Sequence, residues 1–79
     1  MRDLHGRLSL AKIVLTELSR QSLNRTQLEK RTVRKFGTHA TFEGIFQYLV
    51  KNGYVQKREL KHRSPYVMTE KGAKLLEAL

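Results

Sequence analysis

Few side chains in this sequence are of the kinds that make or break covalent bonds. The histidines, His5, His39 and His62, are scattered, and Asp3 is the only aspartate. No His-x-x-Glu or His-x-His pair is present to converge on a metal ion, and the absence of cysteine removes thiolate ligands and disulfides. No serine or threonine carries the His–acid set of a nucleophile, and no glycine-rich loop is shaped to cradle a nucleotide phosphate. The expectation is a protein that is not an enzyme, holds no metal or cofactor, and has no evident small-molecule ligand. What the residue types do offer is charge and hydrogen bonding. Sixteen Lys and Arg stand against seven Asp and Glu, a formal net charge of +9 in 79 residues. That excess is the footprint of a polyanion binder.

The polar residues fall into three groups. Within 38–52, Thr38, His39 and Thr41 can reach phosphates or base edges, Gln47 carries the amide that pairs bidentately with adenine, and Lys51 suits a phosphate. Glu43 is repelled by phosphates unless it accepts from a cytosine amine or pairs with a cation of the protein. Ala40 and Gly44 are nearly free of side chain, and Tyr48 flanks them. A glycine inside a helix costs about 1 kcal/mol against alanine, which is tolerable where another surface must approach the backbone. The second group, Lys57, Arg58, Lys61, His62 and Arg63, lies within 57–66 and suits a basic tip that rides on phosphates or enters a minor groove. The third, Arg25, Arg31, Arg34 and Lys35, suits backbone contacts that set docking orientation.

These groups need elements to hold them. Phe42, Ile45, Phe46 and Leu49 recur at i, i+3, i+4 and i+7, one stripe of a helix, with Thr38 as its N-cap and Gly53 as the left-handed residue that ends it. Ala40, Gly44, Gln47 and Lys51 form the opposite line. Upstream, residues 1–8 read as a loose start, and Ser9 as the cap of a first helix to about Arg20. Its Leu10, Ile13, Val14, Leu15 and Leu18 span an arc wider than one core face needs. Either other parts of the chain cover it or a second subunit does, and a homodimer through the first and/or last helix is the expectation. Asn24 and Gln27 have the residue types of a capping box, opening a second helix to about Lys35 with Leu28, Thr32 or Val33, and Phe36 inside. Gly37 makes the turn.

After Gly53 the helical period stops. Residues 54–60 read as a strand, 61–64 as a polar tip, and 65–69 as a returning strand whose first residue, Pro65, needs no N–H. Thr69 caps a last helix in which Leu75, Leu76 and Leu79 face the core or a partner. One domain over 1–79 is expected: three helices, a basic hairpin and a C-terminal helix. No apolar run nears 18 residues and no signal-peptide core is present, so the expectation is no membrane and a cytoplasmic, nucleoid-associated protein.

Two segments carry a family resemblance over about residues 9–79. TFEGIFQYLVKNGYV is similar to a recognition helix running into the first strand of a wing, and YVMTEKGAKLL resembles the exit from a wing into a final helix. Together they resemble the winged helix-turn-helix DNA-binding regulators, nearest to small archaeal winged-helix proteins and MarR- and PadR-type repressors. The resemblance implies a mainly α fold with a small β-hairpin. It also implies a sequence-specific transcriptional regulator of double-stranded DNA, with the recognition helix 38–52 in the major groove and the wing 57–66 on backbone or minor groove. Neither the ligand-sensing domain nor the long coiled coil of larger members is expected from these 79 residues, and Gly44 stands where MarR-type members often carry a base-reading arginine. Two other readings use the same surfaces: an architectural chromatin protein without sequence choice, and a winged-helix module that docks on an acidic protein partner.

Overall fold

The third helix is the best-specified element, and its local chemistry shows why. In the computed structural model, which describes the backbone of residues 4–79 and the side chains of 7–32 and 37–79, the elements run α1 (Leu4–Arg20), α2 (Arg25–Phe36), α3 (His39–Lys51), β1 (Val55–Lys57), β2 (Tyr66–Met68) and α4 (Glu70–Ala78). Thr38 caps α3 from an extended conformation, its hydroxyl accepting from the Thr41 N–H at 3.1 Å. Phe42, Ile45, Phe46 and Leu49 are all buried. Beyond Lys51, Gly53 takes φ 77°, the Gly53 N–H reaches the Val50 carbonyl at 3.1 Å, and the Tyr54 N–H reaches that of Leu49 at 2.9 Å. This is a Schellman end, which needs a residue without Cβ strain at the left-handed position.

The capping box of α2 forms as its residue types imply. The Gln27 N–H donates to Asn24 Oδ1 at 2.8 Å, and the Asn24 N–H to Gln27 Oε1 at 3.0 Å. Leu28 and Thr32 point into the core, and the Thr32 hydroxyl donates to the Leu28 carbonyl at 2.8 Å, which removes the cost of burying it. The side chains of Val33, Arg34, Lys35 and Phe36 lie outside the described residues. Gly37, at φ 83°, turns the chain into α3.

Three boundaries differ from expectation. The first helix already runs at Leu4, so Ser9 is an interior residue rather than a cap, and only residues 1–3 of the loose segment fall outside the described part. The reason is burial: half-buried Leu8 and buried Ala11, Leu15 and Leu18 follow one stripe at i, i+3, i+7 and i+10, which continues the apolar face upstream of the serine. The strands are also shorter than 54–60 and 65–69, pairing only Val55 with Met68, Gln56 with Val67 and Lys57 with Tyr66. From Arg58 onward the backbone is drawn into the tip instead. The Arg58 N–H still reaches the Pro65 carbonyl at 2.8 Å, but the Glu59 N–H goes to the buried Ser64 hydroxyl at 2.9 Å.

One pairing is non-local. Leu23, between α1 and α2, exchanges backbone hydrogen bonds with Tyr66 at 2.7 and 3.4 Å, adding a single antiparallel bridge to the outer side of β2. The Tyr66 ring then meets Phe46 edge-on with centroids 4.8 Å apart. The sheet edge is thus fastened to both the α2 entrance and α3.

The wide arc of α1 is covered from within the chain. Leu10, Ala11, Val14, Leu15 and Leu18 are buried in one core cluster with Leu23, Leu28, Phe42, Ile45, Phe46, Leu49 and Val55, and α2, α3, α4 and β2 all pack against α1. Ile13, Leu75, Leu76 and Leu79 pack onto the same cluster half-buried. Of the two expectations for that arc, intramolecular cover is the one found. At α4, the Thr69 hydroxyl accepts from the Gly72 N–H at 3.1 Å and donates to the Gly53 carbonyl at 2.7 Å, joining the start of α4 to the end of α3.

Candidate nucleic-acid interface

The line opposite the apolar stripe of α3 is open to solvent. Ala40, Gly44, Gln47 and Lys51 are all exposed, and a Cβ placed on Gly44 would meet nothing within 4 Å. No packing among the described residues therefore requires glycine there. Tyr48, half-exposed on the flank, tilts against Tyr54 with centroids 6.1 Å apart, and the Tyr54 ring carries Lys71 Nζ at 4.8 Å. Lys71 also donates to the Asn52 carbonyl at 2.7 Å. This ladder supports the C-terminal end of α3 and was not foreseen, since Asn52, Tyr54 and Lys71 come together only through the turn and α4.

The N-terminal half of α3 is more occupied than its sequence implies. Thr38 and Thr41 share a hydrogen bond between their hydroxyls at 2.8 Å. His39 donates from Nδ1 to the Glu29 carboxylate, and its Nε2 lies 3.8 Å from Glu43 Oε2. Arg25 pairs with Glu43, and Gln47 Nε2 stands 3.5 Å from Glu43 Oε1. Of the two partners expected for Glu43, a cation of the protein is the one found. Pairs this exposed contribute about 0–1 kcal/mol each, so the effect is mainly to fix α2 against α3 and to hold the Gln47 amide beside Glu43.

The described cations of α2 do not all share one face. At 100° per residue, Arg31 lies about 120° around the helix from Arg25 and about 160° from Glu29. It lines a shallow depression of about 340 Å³ with Gln21, Ser22, Leu23, Gln27 and Lys30. Arg25 keeps its guanidinium partly exposed, 6.0 Å from the Phe46 ring. Arg34 and Lys35, proposed for the same role, lie outside the described side chains.

The hairpin presents Lys57, Arg58, Lys61, His62 and Arg63, all exposed. Lys61 Nζ lies 3.5 Å from Glu59, the one carboxylate of the tip. Arg63 sits at φ 63°, a left-handed conformation uncommon for a side chain of this kind, next to Ser64, whose N–H reaches the Lys61 carbonyl at 3.2 Å. Ser64, expected within a polar tip, is the buried pin of that tip. Leu60, read as the end of a strand, is instead wholly exposed.

Glu29, Glu43, Glu59 and Glu70 each stand beside a cation or imidazole. The carboxylates of the described residues are thus partly offset locally, while the net charge stays strongly positive. Among the described residues no group of His, Asp and Glu side chains is placed to hold a metal ion. No helix among them is long and apolar enough to cross a membrane. Compared with protein families, curated proteins and solved structures, the chain matches none.

Proposed function

We propose that this protein is a winged helix-turn-helix that binds double-stranded DNA and regulates transcription, with α3 in the major groove and the hairpin on the backbone or in the minor groove. The observation that carries this is the open line Ala40, Gly44, Gln47, Lys51 on a helix whose other side is fully anchored in the core. A major groove about 12 Å wide admits a helix of 10–12 Å diameter with its side chains, and it admits one most deeply where side chains on the entering face are small or aimed at the bases. Ala40 and Gly44 satisfy the first condition, Gln47 the second, and Lys51 meets a phosphate at the rim. Thr38, His39 and Thr41 lie at the entering end, and Tyr48 lies beside the groove wall. Glu43 serves by positioning Arg25, His39 and Gln47 rather than by touching cytosine.

Affinity in this reading comes mainly from counterions released as Lys and Arg replace them along the phosphates. Sequence choice comes from α3. Gln47→Ala is expected to weaken a preferred site by about 1–3 kcal/mol, the worth of one bidentate base contact, and to leave random DNA nearly unaffected. Fluorescence anisotropy on both duplexes measures this; equal weakening would take Gln47 off the base edge. Two copies on a palindrome, paired through the outer sides of α1 or α4, would place half-sites one helical turn apart.

Sequencing the DNA that co-purifies with the protein tests the whole reading. Enrichment of one motif supports the regulator, and binding without enrichment supports the architectural role. No duplex binding at low salt overturns both and favours docking on an acidic protein.

A further inference from the structure

At the tip of the hairpin Leu60 is 102% exposed, an aliphatic side chain within a run of charged residues. Arg58, Lys61 and Arg63 are exposed cations within three residues of it, His62 is exposed among them, and the adjacent Glu59 pairs with Lys61. The loop that carries it is also fixed. Arg58 N–H to the Pro65 carbonyl at 2.8 Å, Glu59 N–H to the Ser64 hydroxyl at 2.9 Å and Ser64 N–H to the Lys61 carbonyl at 3.2 Å close the tip from both sides. The result is a single aliphatic side chain held out on a firm base in a tip whose charge is net positive, three Lys and Arg against the one carboxylate of Glu59.

From this geometry we propose that Leu60 is a wedge that enters the minor groove and partly unstacks a base step, so that the protein bends the duplex it binds. The inference rests on the DNA-binding reading above and adds to it what the hairpin does there. The minor groove is about 6 Å wide, room for one aliphatic side chain but not for a helix. Apolar wedges of this kind kink DNA by about 20–90°, and the cations beside them hold the phosphates on either side. A lipid surface is the poorer fit, because stable interfacial anchoring needs a broad apolar face and the tip offers one residue. The step entered should be a flexible pyrimidine–purine step, which unstacks most readily.

The test uses the full chain and a duplex with dyes at its two ends and 2-aminopurine beside a central TA step. Anisotropy reads binding, energy transfer reads bending, and 2-aminopurine emission reads unstacking. The wild type is expected to raise both transfer and emission on binding. Leu60→Ser is expected to bind while leaving both at their free-duplex values, and Leu60→Met, still long and apolar, to restore them. A wild type that binds a straight, stacked duplex, or a Leu60→Ser that bends it equally, overturns the wedge and leaves DNA binding intact. No rise in anisotropy overturns the underlying function and the wedge with it. Co-sedimentation with anionic vesicles that is lost in Leu60→Ser, without duplex bending, overturns it in favour of a membrane surface.

Discussion

Gly72→Ala is expected to lower the melting midpoint by roughly 12–24 °C, the equivalent of about 3 kcal/mol in a domain of this size. Gly72 is buried in the first turn of α4, where a Cβ would lie 2.1 Å from the Tyr54 carbonyl oxygen and 2.8 Å from Met68 Cγ. The methionine end can move. The carbonyl cannot move freely, because it already accepts from the Thr69 N–H at 3.0 Å and from the Thr69 hydroxyl at 3.1 Å. To admit a methyl, α4 must lift from the β1 entrance, and Leu75, Leu76 and Leu79 must lift from the core with it. For a chain of 79 residues, whose whole stability is about 4–12 kcal/mol, that is a large share. Thermal unfolding followed by circular dichroism is the measurement. A midpoint within a few degrees of the wild type would mean that α4 does not press on Tyr54. Gly44→Ala supplies the contrast, since its Cβ would meet open space within a helix and should stabilise the chain by up to about 1 kcal/mol. The same chemical change then gives opposite signs at two places.

Removing charge from the hairpin should change the salt dependence of DNA binding more than any other property. The variant combines Arg58→Ala, Lys61→Ala and Arg63→Asn, with asparagine chosen because it tolerates the left-handed φ of 63°. If each cation meets one phosphate, the slope of log K against log salt becomes less negative by about 2.7. Over a fourfold rise in salt the wild type would then lose about 40-fold more affinity than the variant. The loss should be nearly equal for all sequences, because phosphates carry no base identity. Stability should change by no more than about 0.5 kcal/mol, these side chains being exposed. An unchanged slope would remove the hairpin from the DNA while leaving α3 untouched.

Local patterns proved readable and distant contacts did not, for a physical reason. Stripes and caps are written within four or five residues. The face of α3, the caps at Thr38 and Thr69, the Asn24–Gln27 box and the turns at Gly37 and Gly53 were all legible in that way. The start of α1 was misread because Ser9 has the chemistry of a cap, while the burial of Leu8 and Ala11 that overrides it depends on the rest of the fold. The His39–Glu29 and Arg25–Glu43 pairs join residues on different helices and leave no periodic trace. The strand ends were set by Ser64, a residue that looks like any polar tip until its hydroxyl is seen to replace a ladder bond. Leu60 had a faint signal, a lone aliphatic residue in a basic run. The strand expected over 54–60 absorbed it.

The bridge from Leu23 to Tyr66 carries an implication for folding order. Two strands of three residues each are too few to persist alone in water. What completes them is a backbone segment more than forty positions upstream, delivered when the first two helices have come together. The hairpin is therefore expected to arrive late rather than to act as a nucleus, the helices assembling before the arm that extends from them takes its shape.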